Sequence, residues 1–158
     1  MAAVTLLSPE LRLRHREDPM NRDLAEIVRS QKPICLQPSA SLKEACDAMH
    51  RNRVGAILVT DAKGELVGIF TGRDVVRCVA AGLDLGATHL EGTMTRKPDT
   101  MPPGRSAIDA LRLMHDGGFR HVPVVEQGCP VGIVSRGDFR GLEHDRLDVE
   151  TGLWERIA

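Results

Sequence analysis

The sequence predicts an α+β fold, α/β-like in how its elements alternate, built from two copies of one β-α-β-β-α unit. Three observations predict it. The segment G-I-F-T-G-R-D at 68–74 returns as G-I-V-S-R-G-D at 132–138, an offset of 64 residues. Upstream, Ser41, Ala45, Met49 and Val59 return as Ser106, Ala110, Met114 and Val124, an offset of 65. The one-residue difference falls in a polar turn, D-A-K-G-E-L in one copy and E-Q-G-C-P in the other, where a deletion is best tolerated.

Each copy opens with a short β-prone segment ending in proline, I-C-L-Q-P (34–38) and D-T-M-P-P (99–103). A helix follows. Leu42, Ala45, Cys46 and Met49 recur at i, i+3, i+4 and i+7, as do Ala107, Ala110, Leu111 and Met114, so one apolar helical stripe occurs twice. Ser41 with Glu44, and Ser106 with Asp109, have the spacing of a capping box at the helix start. Two β-rich runs then flank the polar turn: 56–60 and 66–70, repeated as 121–125 and 131–134. They are continuously apolar, as strands buried on both faces are. A second helix closes each copy, over 73–81 and 137–144.

The expected organisation is an N-terminal arm (1–23), a first repeat (24–82), a linker (83–95), a second repeat (96–144) and a C-terminal segment (145–158). Leu24, Ile27 and Val28 suit a short helix feeding the first strand. Residues 81–95 read as a turn with a short helical piece. Leu153, Trp154 and Ile157 are expected to dock the C-terminal segment. One copy has too few apolar residues to fold alone comfortably, whereas two packed sheet to sheet would share a core.

Composition narrows the function. The 158 residues are 42% apolar and 27% charged with a formal net charge of −1, so the basic excess of a broad nucleic-acid surface is missing. Aromatics are only 3%, with no Tyr and one Trp, so a flat ligand must be held by aliphatic side chains and backbone. Cys35, Cys46, Cys78 and Cys129 form no C-x-x-C motif, and the first two read as buried small hydrophobes. The N-terminus lacks a signal-peptide core, and no run reaches the roughly 18 apolar residues of a membrane span. The expected setting is the cytoplasm, with no membrane and no nucleic acid as partner. There is no phosphate-loop, H-E-x-x-H or G-x-S-x-G motif. The histidines sit in no metal-ligand spacing, and His50 and His115, at matched positions, read as structural or interface residues. No nucleophile–base pair can be nominated, so the chain is not expected to be an enzyme.

The chemistry lies in the repeated G-h-x-[S/T]-x-x-D, with h apolar. Gly68 and Ile69 end a strand, Thr71 falls at the strand-to-helix turn and Asp74 in the first helical turn. A helix N-terminus offers free N–H groups and a positive dipole end, which suit a phosphate. Thr71 can donate a hydroxyl bond there, and the Asp74 carboxylate can accept both hydroxyls of a ribose diol. Ser135 and Asp138 repeat the arrangement. The same spacing is also a helix cap, and one occurrence alone is more often only that. Two occurrences at matched positions favour a ligand, and a phosphate can share the N-terminus with the cap. Arg53, Arg73 and Arg136 are candidate phosphate partners, since a guanidinium matches phosphate geometry.

Both copies resemble CBS (cystathionine-β-synthase) repeats over roughly 24–144, on Gly68, Thr71 and Asp74 and on H-V-P-V-V with Gly132, Ser135 and Asp138. The resemblance implies a disc-like pair with two clefts related by pseudo-two-fold symmetry, dimerisation through helices, and binding of AMP, ADP, ATP or a related adenosyl ligand as a regulatory ligand. It passes the ribose-holding role to Asp74 and Asp138. Thr71 and Ser135 are placed near ribose or phosphate, and Arg120 and His121 at ligand phosphates, though these last two are equally readable as surface residues. Ile34, Ile57, Ile69, Val122 and Ile133 are candidate adenine walls, each equally explained as core. The positions matching Arg120 and His121 in the first copy are Gly55 and Ala56, so the first copy's site is expected to be less positive.

The leading expectation is therefore a homodimeric nucleotide sensor read by an unidentified regulated protein. The alternative is a ligand-independent dimerisation or scaffold module, in which the capping boxes are only caps.

Overall fold

The computed structural model describes residues 22–139. Most of the expected arm, residues 140–144 of the expected second closing helix, and the C-terminal segment with Leu153, Trp154 and Ile157 lie outside the described residues. The order of elements is α1 (Leu24–Val28), β1 (Cys35–Leu36), α2 (Leu42–Asn52), β2 (Ala56–Thr60), β3 (Leu66–Thr71) and α3 (Gly72–Ala80). A 3-10 turn at Leu90–Gly92 leads to β4 (Thr95–Arg96), α4 (Ala107–Gly117), β5 (His121–Glu126), β6 (Cys129–Ser135) and a 3-10 turn at Arg136–Asp138.

The α+β fold read from the sequence is present. A four-stranded sheet runs β1-β2-β3-β4, and β5 with β6 forms a two-stranded sheet. Each central hairpin is antiparallel. The polar turn is five residues long in the first hairpin (61–65), where the Asp61 carboxylate accepts the N–H groups of Lys63 and Glu65. In the second it is Gln127 and Gly128 alone, both at positive φ.

The alternation in β2 shows what the continuous apolar run is for. Ile57 and Val59 pack with Leu42, Ala45, Met49 and Phe70 in a core under α2 and α3. Ala56 and Leu58, on the other face, join Ile69, Leu66 and Ile133 of the second repeat. The run is thus buried on both faces. The second repeat has its own core, in which Leu111, Met114, Val122, Val124 and Val134 meet. The sheet-to-sheet cluster is small beside these two helix-backed cores. β6 is not buried on both faces, since Cys129 is exposed at its start.

The helix starts follow their caps. The Ser41 N–H and hydroxyl donate to Glu44, and the Ser41 hydroxyl accepts the Glu44 N–H. At α4 the Ser106 hydroxyl accepts the Asp109 N–H, but the Asp109 carboxylate goes to Arg105 and Arg112 instead of closing the box.

Three expectations are corrected. D-T-M-P-P forms no strand, only a single parallel bridge from Met101 to Val124, because Pro102 and Pro103 have no N–H to extend a ladder. Thr95 and Arg96, read as linker end and repeat start, instead pair with Ile69 and Gly68 as β4; two residues carry no periodicity to read. Cys35 is exposed, because β1 is a two-residue edge strand, and Cys46 is only half-buried, Ala48 taking its place in the buried face of α2.

The short helices form where expected but cross between the repeats. α1 does feed β1 in the chain, but it packs elsewhere. Leu24 and Val28 lie in the core of the second repeat. Leu90 and Met94, which precede the second repeat, lie in the core of the first. The backbone bonds that hold them are matched pairs. Leu24 N–H donates to Arg105 and Ala25 N–H to Pro103, as Leu90 N–H donates to Ala40 and Glu91 N–H to Pro38. Each repeat is therefore completed by the segment that precedes the other.

Candidate functional site

This crossing builds two clefts between the repeats. In each, one wall is the strand-to-helix turn of one motif, and the other wall is the loop before the central hairpin of the other repeat. The first cleft, about 700 Å³, holds Thr71, Gly72, Arg73, Asp74 and Arg77 with Ile69, faced by Phe119, Arg120 and His121 and floored by Thr95 and Lys97–Asp99. The second, about 460 Å³, holds Ser135, Asp138 and Ile133, faced by Asn52–Ala56, with Gln31–Ile34 and His121. Both volumes lie within the range of small-molecule sites.

The motif turns are built alike. Thr71 N–H and Oγ1 both donate to Asp74 Oδ2, at 2.8 and 3.0 Å. Ser135 N–H and Oγ both donate to Asp138 Oδ2, at 2.6 and 2.9 Å. Gly72 N–H donates to the Gly55 carbonyl, as Arg136 N–H donates to the Arg120 carbonyl. A carboxylate only accepts, so each hydroxyl proton is committed to its aspartate. Thr71 and Ser135 therefore offer a ligand their oxygen lone pairs, not the donated proton the sequence led us to expect. They suit a ribose hydroxyl better than a phosphate oxygen. Asp74 is 6% exposed and its Oδ1 holds Arg77 at 2.9 Å, while Asp138 is exposed. Arg77 also donates to the Thr93 carbonyl, which fixes it along the first cleft.

Of the expected adenine walls, Ile69 lines the first cleft and Ile34 and Ile133 line the second. Ile57 and Val122 are fully buried in the two cores and line neither cleft. Arg120 and His121 line the first cleft, and His121 also borders the second. Arg73 lies in the first cleft and Arg53 in the second, while Arg136 is exposed outside both linings. The expectation of a less positive first site is reversed. Arg120 faces Asp74 of the other repeat, and Gly55 and Ala56 face Asp138.

Sequence reasoning passed over Lys97 and Lys32. Both stand in a Lys-Pro pair, K-P-I at 32–34 and K-P-D at 97–99, repeated at the same offset of 65 as the helical stripe. That repetition was the available signal. Thr95 and Arg77 had none.

His121 stands between the two clefts. A Cβ added at Gly55, which lines both, would lie 3.3 Å from His121 Nε2. Burial holds the imidazole below its ordinary range; Asp138 draws it back up and Arg120 pushes it further down. The unfolded chain, titrating near 6.5, then takes up the proton before the native state does. Stability is full above about pH 6.5 and falls as pH drops from there toward the native value. His121→Gln should remove this part of the slope, seen as a smaller difference between melting temperatures at about pH 7.5 and about pH 5.5. Equal differences in the two proteins would contradict it.

Among the described residues no helix is long and apolar enough to cross a membrane, and no group of His, Cys, Asp or Glu is arranged to hold a metal ion.

With the geometry in place, comparison with known proteins is informative. The CBS domain model matches residues 24–81 and 88–145. A CBS domain-containing protein of Arabidopsis thaliana is 39% identical over 132 residues, 83% of this chain but 22% of that protein. The chain thus spans about a fifth of the length of such relatives. Among solved structures, a CBS domain protein from Pyrobaculum aerophilum complexed with AMP superposes with a TM-score of 0.74 at 26% identity, over 81% of this chain and 99% of that one. A CBS domain pair in complex with 5′-methylthioadenosine and S-adenosyl-L-methionine gives 0.69 at 25%, over 83% and 98%. CBS domain proteins are typically regulatory. Two matched domains in tandem, with the paired clefts between them, place this chain in the CBS domain family, as a CBS pair.

Proposed function

We propose that the chain is a regulatory module that binds an adenosine nucleotide in the clefts between its repeats and catalyses nothing itself. The observation that supports this best is the first cleft. It joins a ribose-type acceptor, Asp74, to cations from separate segments, Arg73, Lys97 and Arg120. A neutral cap would need no such set. The aliphatic walls Ile69, Ile34 and Ile133 fit an adenine in a chain with few aromatics. The similar structures that carry AMP, or 5′-methylthioadenosine and S-adenosyl-L-methionine, support the adenosyl class.

Binding regulates only if the ligand prefers one arrangement of the repeats. The clefts are walled by both repeats, so their closure and the angle between repeats are one coordinate. A regulated protein partner would read that angle.

Thermal unfolding with AMP, ADP, ATP and S-adenosylmethionine tests the reading. A ligand at about a hundred times its Kd should stabilise by roughly 2.7 kcal/mol per site. A guanosine or cytidine nucleotide should give much less. No shift with any adenosyl ligand would favour the ligand-independent scaffold, with the aspartates as caps.

The reading includes a second copy of the chain. α3 leaves Val76 68% and Val79 59% exposed, an apolar pair that a homodimer would cover. Sedimentation should show a species of twice the 17.3 kDa chain mass; a profile of 17.3 kDa alone would remove the dimer.

A further inference from the structure

We propose that the two clefts divide adenosine ligands by charge, the Asp74 cleft taking an adenosine polyphosphate and the Asp138 cleft an adenosine without phosphate. This rests on the adenosine reading above and assigns a ligand class to each cleft.

Matched positions of the two clefts differ in charge. Arg73 of the first cleft corresponds to Gly137 in the second motif. Arg120 corresponds to Gly55. Only Lys97 keeps its charge, as Lys32. The second cleft gains Arg53, held at the left-handed end of α2, but has no cation on its motif turn among its lining residues.

The acids differ in the same sense. In the first cleft the Asp74 charge is offset by Arg77 at 2.9 Å, so it does not oppose an anion. Asp99, the other lining acid, stands two residues from Lys97, and Arg73 and Arg120 add to that lysine. Asp138 is exposed, with the Arg22 guanidinium donating to its backbone carbonyl at 3.2 Å, in a cleft that sets Lys32 and Arg53 beside the apolar Pro33, Ile34, Val54, Ala56 and Ile133. Asp138 can accept a sugar diol, and with only Lys32 and Arg53 beside it, against Arg73, Arg77, Lys97 and Arg120 in the first cleft, the second cleft attracts a phosphate chain less. Size agrees, since the first cleft is about 700 Å³ and the second about 460 Å³.

Isothermal titration of the full chain with ATP and, separately, with adenosine tests the division, using wild type and Arg73→Ala/Arg120→Ala. Both arginines are exposed, so the double variant keeps the fold. Losing two charge-assisted phosphate contacts should weaken ATP at its tight site by at least about tenfold. Adenosine should change by less than about twofold, because neither arginine lines the Asp138 cleft. Adenosine should also still bind wild type saturated with ATP. Unchanged ATP affinity in the variant, or ATP filling both clefts equally well, would overturn the division while leaving adenosine binding intact. No heat from either probe with wild type would instead remove the adenosine reading, and the division with it.

Discussion

Replacing Phe70 with alanine is expected to lower the free energy of unfolding by about 3–5 kcal/mol. Phe70 is fully buried at the middle of the first repeat, where it packs with Leu42, Ile57, Val59 and Cys78 beneath α2 and α3. Its strand neighbour across the hairpin is Ile57. The surrounding side chains come from two helices and a sheet, so the gap cannot close without moving one of them. The loss is therefore expected near the top of the range for a large core residue. Phe70 also directly precedes Thr71, so the strand end that aims the motif turn should loosen with it. Urea unfolding of the variant measures the effect. A loss below about 1 kcal/mol would mean that the first core is much less closely packed than described.

A valine at Gly132 should destabilise by about 1–3 kcal/mol, although intrinsic strand preference points the other way. Gly132 lies within β6, where glycine is ordinarily a weak choice and a β-branched residue a good one. The reason for glycine is close approach. A Cβ there would collide with the Val28 side chain of α1 and lie 3.0 Å from Gln31 Oε1, which accepts the Ile133 N–H at 2.9 Å. Valine would therefore push α1 off the sheet it covers. Gly68 stands at the matched position, where a Cβ would lie 2.5 Å from Met94 Sδ and 3.1 Å from the Thr95 carbonyl oxygen. The motif glycine thus marks where the segment preceding one repeat crosses onto the other. A Gly132→Val protein with a higher urea midpoint than wild type would show that strand propensity, not packing against α1, governs this position.

These two sites also show what could be read from the sequence. The main elements were legible, because the helical stripes of α2 and α4 give way to continuously apolar runs in β2, β3, β5 and β6, whereas the two-residue β4 left no pattern to read. The motif turns were legible too, since a hydroxyl and a carboxylate three residues apart close on each other wherever a helix begins. What could not be read was which copy each part serves. Matching by offset pairs Arg120 with its own copy's motif, whereas the fold sets it against Asp74 of the other. The same holds for Leu24 and Val28, which precede the first repeat and complete the second. A linear repeat carries no record of that crossing, because it arises from how two sheets meet at Ala56, Leu58, Ile69 and Ile133. Ile57 and Val122 shared the apolar character of the true cleft residues, and only strand register separates an inward side chain from one that meets the ligand space.

On the proposed function an adenosine ligand occupies clefts made jointly by the two repeats. Amide spectra of the isotopically labelled chain, recorded during titration with ATP, test it most directly. The signals of Thr71, Gly72, Arg73 and Asp74 should shift together with those of Lys97, Arg120 and His121, with one binding curve for both groups. Spectra that do not change, or changes confined to surfaces away from the clefts such as Arg112 and Asp116 on α4, would contradict it.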